Sequence, residues 1–343
     1  MQERLEVRDG SLLLSGGRVG VLLIHGLGGT PVELQFVAQA LNRAGYTVYC
    51  PLLIGHGGSE ELLNTTTWTD WYNSVEEAHD FLKQRCDVVL AGGLSAGVNL
   101  AVLLAARRPR DVRGCIFYSP TFWPNGWAIP WYFVFFNLVR HKWFANLIHL
   151  RECAPYGIKD ERIRRFVLDS LQRDGRPLED IFGRRGGTVL EFRWMAKAAR
   201  QVLRQVKQSS LIVHAREDDQ SHISNAFLMQ EQLGGPTEVM VLDDSYHMVT
   251  LDRQRMDVVD RTLWFIDRVV QRHLNRNDAD QVTQAEATAI ESSQAGRKWG
   301  VRPSYAVHIP VALTLSRGGG AIRKSWEILR DFGQRWVWGV ANA

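Results

Sequence analysis

The stretch DVVLAGGLSAGVNLAVLLAAR, residues 87–107, decides the fold. Its first part, Asp87–Ala91, is an apolar run of the kind found in a strand covered on both faces. Its last part, Asn99–Arg107, reads as a helix. Between them, Gly93-Leu94-Ser95-Ala96-Gly97 fits G-x-S-x-G, the spacing of a serine set on a sharp, strained strand-to-helix turn. Gly93 and Gly97 remove side chains that would collide with neighbouring backbone there. The pentapeptide alone arises by chance, and an ordinary Gly-Ser turn is the plain alternative. The strand before it and the helix after it select the nucleophile.

Working outward, the same alternation repeats. Val19–His25 is another continuous apolar strand, and Thr30-Pro31-Val32-Glu33 predicts a capping box with Pro at the first helical position. The helix that follows shows Val37, Leu41 and Ala44 on one face and stops at Gly45. Tyr46–Cys50 is a strand, Trp68–Arg85 a helix and Gly114–Tyr118 a strand. After Ser119-Pro120 the pattern breaks, and from Thr121 to Lys207 no strand is evident. Order resumes with a strand at Leu211–Ala215, a helix near Ser224–Leu233, a strand at Glu238–Leu242 and a last helix over Asp252–Leu274. Strand-helix alternation signals an α/β fold with a mostly parallel central sheet and helices on both faces. Residues 1–120 and 208–274 then form one catalytic domain, interrupted by a helical cap at 121–207.

Beyond Leu274 the composition shifts. Residues 275–300 are rich in Asn, Asp, Gln, Ala, Thr and Ser with little to bury, and read as a disordered linker. Residues 301–343 form an apolar and amphipathic extension. Within it Ile322, Trp326, Leu329, Phe332, Trp336 and Val340 draw one helical stripe, with Arg323, Lys324, Arg330 and Arg335 among its polar residues. Two readings stand: an interfacial helix on a membrane surface, or a helix docked on its own domain or on a second subunit in a homodimer.

Bulk properties narrow the function classes. The 343 residues carry a net charge of +4, are 45% hydrophobic and 23% charged, and intersperse their charges, so no nucleic-acid footprint is visible. Cys50, Cys86, Cys115 and Cys153 lack C-x-x-C spacing, which suggests neither a zinc site nor a redox dithiol. Free thiols and a charged N-terminus without an apolar leader point to a cytoplasmic protein, peripheral on the membrane at most. No run reaches the roughly 18 apolar residues of a spanning helix.

A serine hydroxyl needs a base, and in this chain order the sequence is serine, acid, histidine. His247 follows the last strand in Asp243-Asp244-Ser245-Tyr246-His247 and meets that order. The acid should follow Leu211–Ala215, where Glu217, Asp218 and Asp219 are adjacent and spacing cannot separate them. His214 and His222 are rival histidines, more simply a strand-end and a helix-start residue. Two backbone N–H donors must face the developing oxyanion. One is Ala96, after the nucleophile. The other is Leu27, in a loop that Gly26 and Gly28 let approach the substrate. His-Gly-Leu-Gly-Gly lacks the spacing and the Lys of a phosphate loop. The mechanism requires neither a metal nor an organic cofactor.

Three stretches carry a family resemblance: LLIHGLGGTPVELQFVAQALNRAGYTVYCPLLIGHG (residues 22–57), GLSAG (93–97), and LIVHAREDDQSHISNAFLMQEQL with SYHMVTLDRQRMDVVDRTLWFI. Together they resemble bacterial carboxylesterases and monoacylglycerol lipases of the α/β-hydrolase superfamily, of the serine aminopeptidase S33 type. In that family the acid stands three residues after the strand-ending small residue, here Ala215, so the resemblance selects Asp218. It matches Gly55-His56-Gly57 as well, where His56 reads as a structural loop residue. The resemblance implies hydrolysis of carboxylic esters with an apolar acyl group through an acyl-enzyme intermediate. A peptidase, amidase, thioesterase or acyltransferase could use the same triad, and a non-enzymatic module would need a damaged one. The aromatic run from Trp123 to Val139, too short to span a bilayer, reads as packing of the cap on the catalytic domain or as an acyl-binding tunnel with an interfacial lip, and the two are compatible because one face can pack while the other lines the pocket.

Overall fold

The computed structural model describes residues 9–172 and 182–295. Among the described residues seven strands form one sheet in the order β1-β3-β2-β4-β5-β8-β9. They are β1 (Leu12–Leu14), β2 (Val19–Ile24), β3 (Thr47–Cys50), β4 (Val88–Leu94), β5 (Val112–Tyr118), β8 (Ser209–Ala215) and β9 (Thr237–Leu242). Every neighbouring pair is parallel except the antiparallel edge strand β1.

The apolar runs explain why the sheet is covered twice. Successive residues of a strand point to opposite faces. In β2, Val21 and Leu23 pack with Val37 and Leu41 of α1 (Gln35–Arg43) and with Val258 and Ile266 of the last helix. Leu22 and Ile24 enter the opposite core, with Val75 and Leu82 of α3 (Trp68–Lys83) and Leu104 of α4 (Ala96–Arg107). Burying side chains of this size contributes about 1.5–3 kcal/mol each, so a strand without polar positions is stable only between two helical layers. A capping box starts α3, with Thr67 and Asp70 exchanging bonds. The α2 helix (Glu60–Thr65) and β1 had no sequence expectation.

Between β5 and β8 the chain leaves the sheet. It forms a 3₁₀ segment at Trp131–Leu138, then α5 (Lys142–Ala145), β6 (His149–Arg151), α6 (Glu161–Gln172), β7 (Gly183–Arg185) and α7 (Gly186–Val202). The expectation of a strand-free insertion is corrected: β6 and β7 pair antiparallel, Leu150 opposite Arg184. The aromatic run packs in part: Phe136 and Val139 join a small core with Ala145 and Leu190. Phe136 is buried, but Trp131 is 78% exposed and Leu138 76%, because the run faces a cavity and solvent. Two further helices follow, α8 (Ser224–Gln232) and α9 (Arg255–Ala295).

Three further expectations change. Thr30 makes no side-chain cap, and a 3₁₀ turn at Pro31–Leu34 precedes α1, since Glu33 is engaged elsewhere. Helix α4 starts at Ala96, directly after the serine. Helix α9 continues past Leu274 to Ala295, into the segment read as a linker; no Gly or Pro interrupts 275–295. Residues up to Thr283 form one compact unit, and the described part of the second, 284–295, is helical. The extension at 301–343 and its stripe lie outside the described residues. All four cysteines are free, with Cys50, Cys86 and Cys115 buried as small apolar groups and Cys153 exposed. Among the described residues no helix is long and apolar enough to cross a membrane.

Candidate active site

Ser95 sits where β4 turns into α4, with φ 55° and ψ −116°. A non-glycine residue held at positive φ stores strain that the surrounding structure must impose. The flanking glycines show how. A Cβ on Gly97 would lie 2.2 Å from the Ile24 carbonyl oxygen, and one on Gly93 would lie 2.6 Å from Gly97 and 2.8 Å from that same oxygen. The turn is therefore clamped against the end of β2, and the Ser95 N–H bonds the Tyr118 carbonyl at 2.9 Å.

The loop after β2 lies against the serine: a Cβ on Gly26 would stand 3.7 Å from the Ser95 Cβ. His25 stiffens its root. The Leu53 N–H donates to His25 Nε2 at 3.2 Å, so Nδ1 carries the proton and donates to the Gly26 carbonyl at 2.9 Å. Burial pushes this imidazole down to about 4, and it stays neutral. His56 is buried between His25 and Trp71, in edge contact with both rings, a structural position. Leu27 and Ala96 both line the cavity onto which Ser95 opens.

The three adjacent acids, inseparable by spacing, separate by contact. Glu217 faces solvent and pairs with Lys159. Asp218 is buried, with Oδ2 2.8 Å and Oδ1 3.0 Å from His247 Nδ1. Its Oδ1 also accepts the Gln220 and Ser221 N–H groups at 2.8 and 2.7 Å. Asp219 holds backbone instead, accepting the Gly157 N–H at 2.8 Å and the His247 N–H at 3.3 Å. Burial alone would raise the Asp218 acid, but the His247 charge and hydrogen bond, His214 and Ser221 outweigh it and hold it below its ordinary value. Burial would lower the His247 imidazole, and Asp218, then Asp219 and Glu152, raise it above its ordinary value.

The rival histidines lie elsewhere. His214 lies behind Asp218, donating from Nε2 to the Ser221 carbonyl at 2.7 Å, and burial lowers its basicity. His222 is exposed on the surface before α8. His247 and Ser95 share one cavity, but their side chains are not yet joined: among the described residues His247 Nε2 has no partner, and Ser95 Oγ donates to Thr121 Oγ1 at 3.4 Å. Sequence reasoning missed Thr121, and also Ser119, whose hydroxyl donates to the His247 carbonyl at 2.6 Å. The break at Ser119-Pro120 was the signal available for both.

The cavity is about 950 Å³ and extends from Ser95 and His247 into the insertion. Phe133, Phe136, Val139, Ile148, Val189 and Phe192 make an apolar wall, while Glu152, Arg164 and Arg184 bring charge to another side. Among the described residues no group of three or more His, Cys, Asp or Glu is arranged to hold a metal ion.

The family described as serine aminopeptidase, S33, matches residues 18–254. The chain belongs to this family. It is therefore a hydrolase of the α/β-hydrolase fold. It is 28% identical over 268 residues to a thermostable monoacylglycerol lipase of Bacillus sp. (strain H-257), covering 77% of this chain and 98% of the relative. It is 21% identical over 269 residues to a carboxylesterase of Bacillus subtilis (strain 168), covering 74% and 94%. Among solved structures, one from work on two metagenome-derived lipolytic enzymes matches with a TM-score of 0.63 at 27% identity, covering 77% of this chain and all of that one.

Proposed function

We propose that this S33 hydrolase cleaves carboxylic esters of apolar acyl groups, monoacylglycerol-like in size, through an acyl-enzyme intermediate. The observation that carries the reading is the strained Ser95 turn opening onto an apolar cavity that it shares with the Asp218–His247 pair. In the first step Ser95 Oγ attacks the ester carbonyl while His247 Nε2 takes its proton. Asp218 fixes the tautomer, leaving Nε2 as the acceptor, and stabilises the imidazolium. The Leu27 and Ala96 N–H groups receive the oxyanion, helped by the positive end of the α4 dipole. His247 then protonates the departing alcohol. In the second step water, activated by the same imidazole, releases the acid and frees the serine.

The insertion serves as a cap over this site, its aromatic wall taking the acyl chain. Tyr132, Phe135, Leu138 and Phe144 line the cavity and also stand exposed at its rim. Trp131, Trp143 and Leu147 extend that apolar collar outward, with Arg140 and His141 exposed within it. An apolar collar continuous with an acyl cavity and dotted with basic groups suits docking on an anionic lipid surface. The free cysteines fit a reducing, cytoplasmic setting.

Hydrolysis of p-nitrophenyl esters from acetate to palmitate by wild type and Ser95→Ala tests the reading. Wild-type turnover with a preference for medium or long chains, abolished in the variant, is the expected result. Retention of wild-type activity by Ser95→Ala, or cleavage of amides alone, would overturn it.

A further inference from the structure

Glu33 lies under the loop that carries Leu27. Its Oε2 accepts the Gly26 N–H at 2.9 Å. Its Oε1 fills the space a side chain on Gly29 would need, 1.8 Å from where a Cβ would stand, and the Gly29 N–H closes a turn onto the Gly26 carbonyl at 3.2 Å. The carboxyl is thus the post around which residues 26–29 fold. The residue is also fixed from the opposite side. Its backbone carbonyl accepts the Thr250 hydroxyl at 2.7 Å, three residues beyond His247. One residue ties the loop bearing an oxyanion donor to the loop bearing the base.

We propose that Glu33 is a positioning residue: by holding the Gly26 N–H and wedging beneath Gly29, it keeps the Leu27 N–H aimed at the developing oxyanion. This rests on reading Ser95 as the ester-cleaving nucleophile. The placement matters because a donor must sit within about 2.7–3.1 Å of where the charge will form, not where the ground-state carbonyl lies. With glycine at three of the four positions 26–29, the loop has no polar side chain of its own to hold that geometry.

Charge is the second part of the argument. An ionised carboxylate beside the oxyanion loop would oppose the negative charge that grows there. Part of Glu33 faces the cavity, yet the surrounding protein desolvates its carboxyl and pushes it up to about 7. The Gly26 N–H opposes this rise, Glu152 from the end of β6 adds to it, and His247 and Arg184 of β7 oppose it. Below that value the neutral acid keeps an oxygen for the Gly26 N–H and adds no negative charge to the site, and above it the carboxylate brings one.

Glu33→Gln and Glu33→Ala separate these effects from a loss of fold. Glu33→Gln preserves the acceptor and is permanently neutral. On p-nitrophenyl butyrate it should keep kcat within about threefold of wild type at pH 6, and its kcat relative to wild type should rise by about threefold or more between pH 6 and 9. Glu33→Ala should lose kcat by about tenfold to a hundredfold, less than the 10²–10³ of deleting an oxyanion donor outright, with KM changed by less than about threefold. Wild-type turnover that vanishes in Ser95→Ala secures the reading beneath, so a loss confined to the Glu33 variants bears on Glu33 alone. Full kcat in Glu33→Ala, a loss expressed only in KM, or a Gln variant as impaired as Ala at pH 6 would overturn the positioning role. A Gln-to-wild-type ratio that stays flat with pH would overturn the role of charge.

Discussion

Replacing Asp218 by Asn exchanges one oxygen for an NH₂ group and reverses the hydrogen bonding at His247. The structure dictates which way the new amide must face. Oδ1 accepts two backbone donors, Gln220 and Ser221, at 2.8 and 2.7 Å, so the amide oxygen must stay there. A flipped amide would set two N–H groups against its own and forfeit both bonds, at about 1 kcal/mol each before the cost of the unpaired groups. The NH₂ therefore takes the place of Oδ2, 2.8 Å from His247 Nδ1. Nδ1 must then accept, and the proton moves to Nε2, the nitrogen that the proposed mechanism needs free to take the proton of Ser95. The imidazolium also loses its buried counter-charge. The same exchange in a serine-protease triad lowers kcat by about 10⁴, which at 1.36 kcal/mol per decade is about 5 kcal/mol of barrier. The assay is kcat/KM for p-nitrophenyl butyrate at pH 7.5, with thermal unfolding as the control for fold. A loss of about 10³–10⁵ with Tm changed by only a few degrees is expected. Activity within tenfold of wild type in a folded Asp218→Asn protein would refute the assignment of the acid.

Four further outcomes follow from the same geometry. Asp219→Ala frees the Gly157 and His247 N–H groups, each buried bond worth about 1–3 kcal/mol; urea unfolding should show that loss, and kcat should fall tenfold or more as the base loop loosens. Gly97→Ala forces a methyl to 2.2 Å from the Ile24 carbonyl; a drop in Tm of several degrees with loss of esterase activity is expected, and an unchanged Tm would contradict the clamped turn. On the proposed mechanism His247 must be neutral to act as base, and its basicity is raised, so kcat/KM should climb with pH through a midpoint above 6.5. By the same shift the stability this histidine contributes is fully present below its unfolded value near 6.5 and fades as pH rises through its folded one. Trp131→Ser with Trp143→Ser should weaken co-sedimentation with anionic vesicles while short-ester turnover persists, and undiminished binding would remove the collar as the docking surface.

The parts of the fold that could be read from sequence are those whose burial is symmetric. β2 and β4 are continuous apolar runs, and β5 and β8 carry apolar centres at Cys115–Tyr118 and Leu211–Val213, because helices cover both faces, and each declares itself without neighbours. Ser95 was legible for the same reason, since two glycines, a strand and a helix converge on it within 20 residues. The small strands β6 and β7 were not. Three residues each, HLR and GRR, half exposed and 34 positions apart, they carry no alternation, and only their pairing defines them. The acid was locally undecidable: Glu217, Asp218 and Asp219 differ in what lies across from them, a lysine, an imidazole and two backbone N–H groups. Glu33 misled in an instructive way. Thr-x-x-Glu matches a capping box, but the longer-range Gly26 N–H took the carboxylate, and the local motif lost to a tertiary contact. Past Leu274 composition argued for a linker, whereas the absence of helix breakers let α9 run on to Ala295.

Covalent trapping tests the central claim most directly. After reaction with a fluorophosphonate, intact-mass and peptide mass spectrometry should show one adduct per chain, on Ser95, absent from Ser95→Ala and formed far more slowly in His247→Ala and Asp218→Asn. An adduct on another residue, or none at all in a preparation that still turns over esters, would contradict a Ser95 acyl-enzyme.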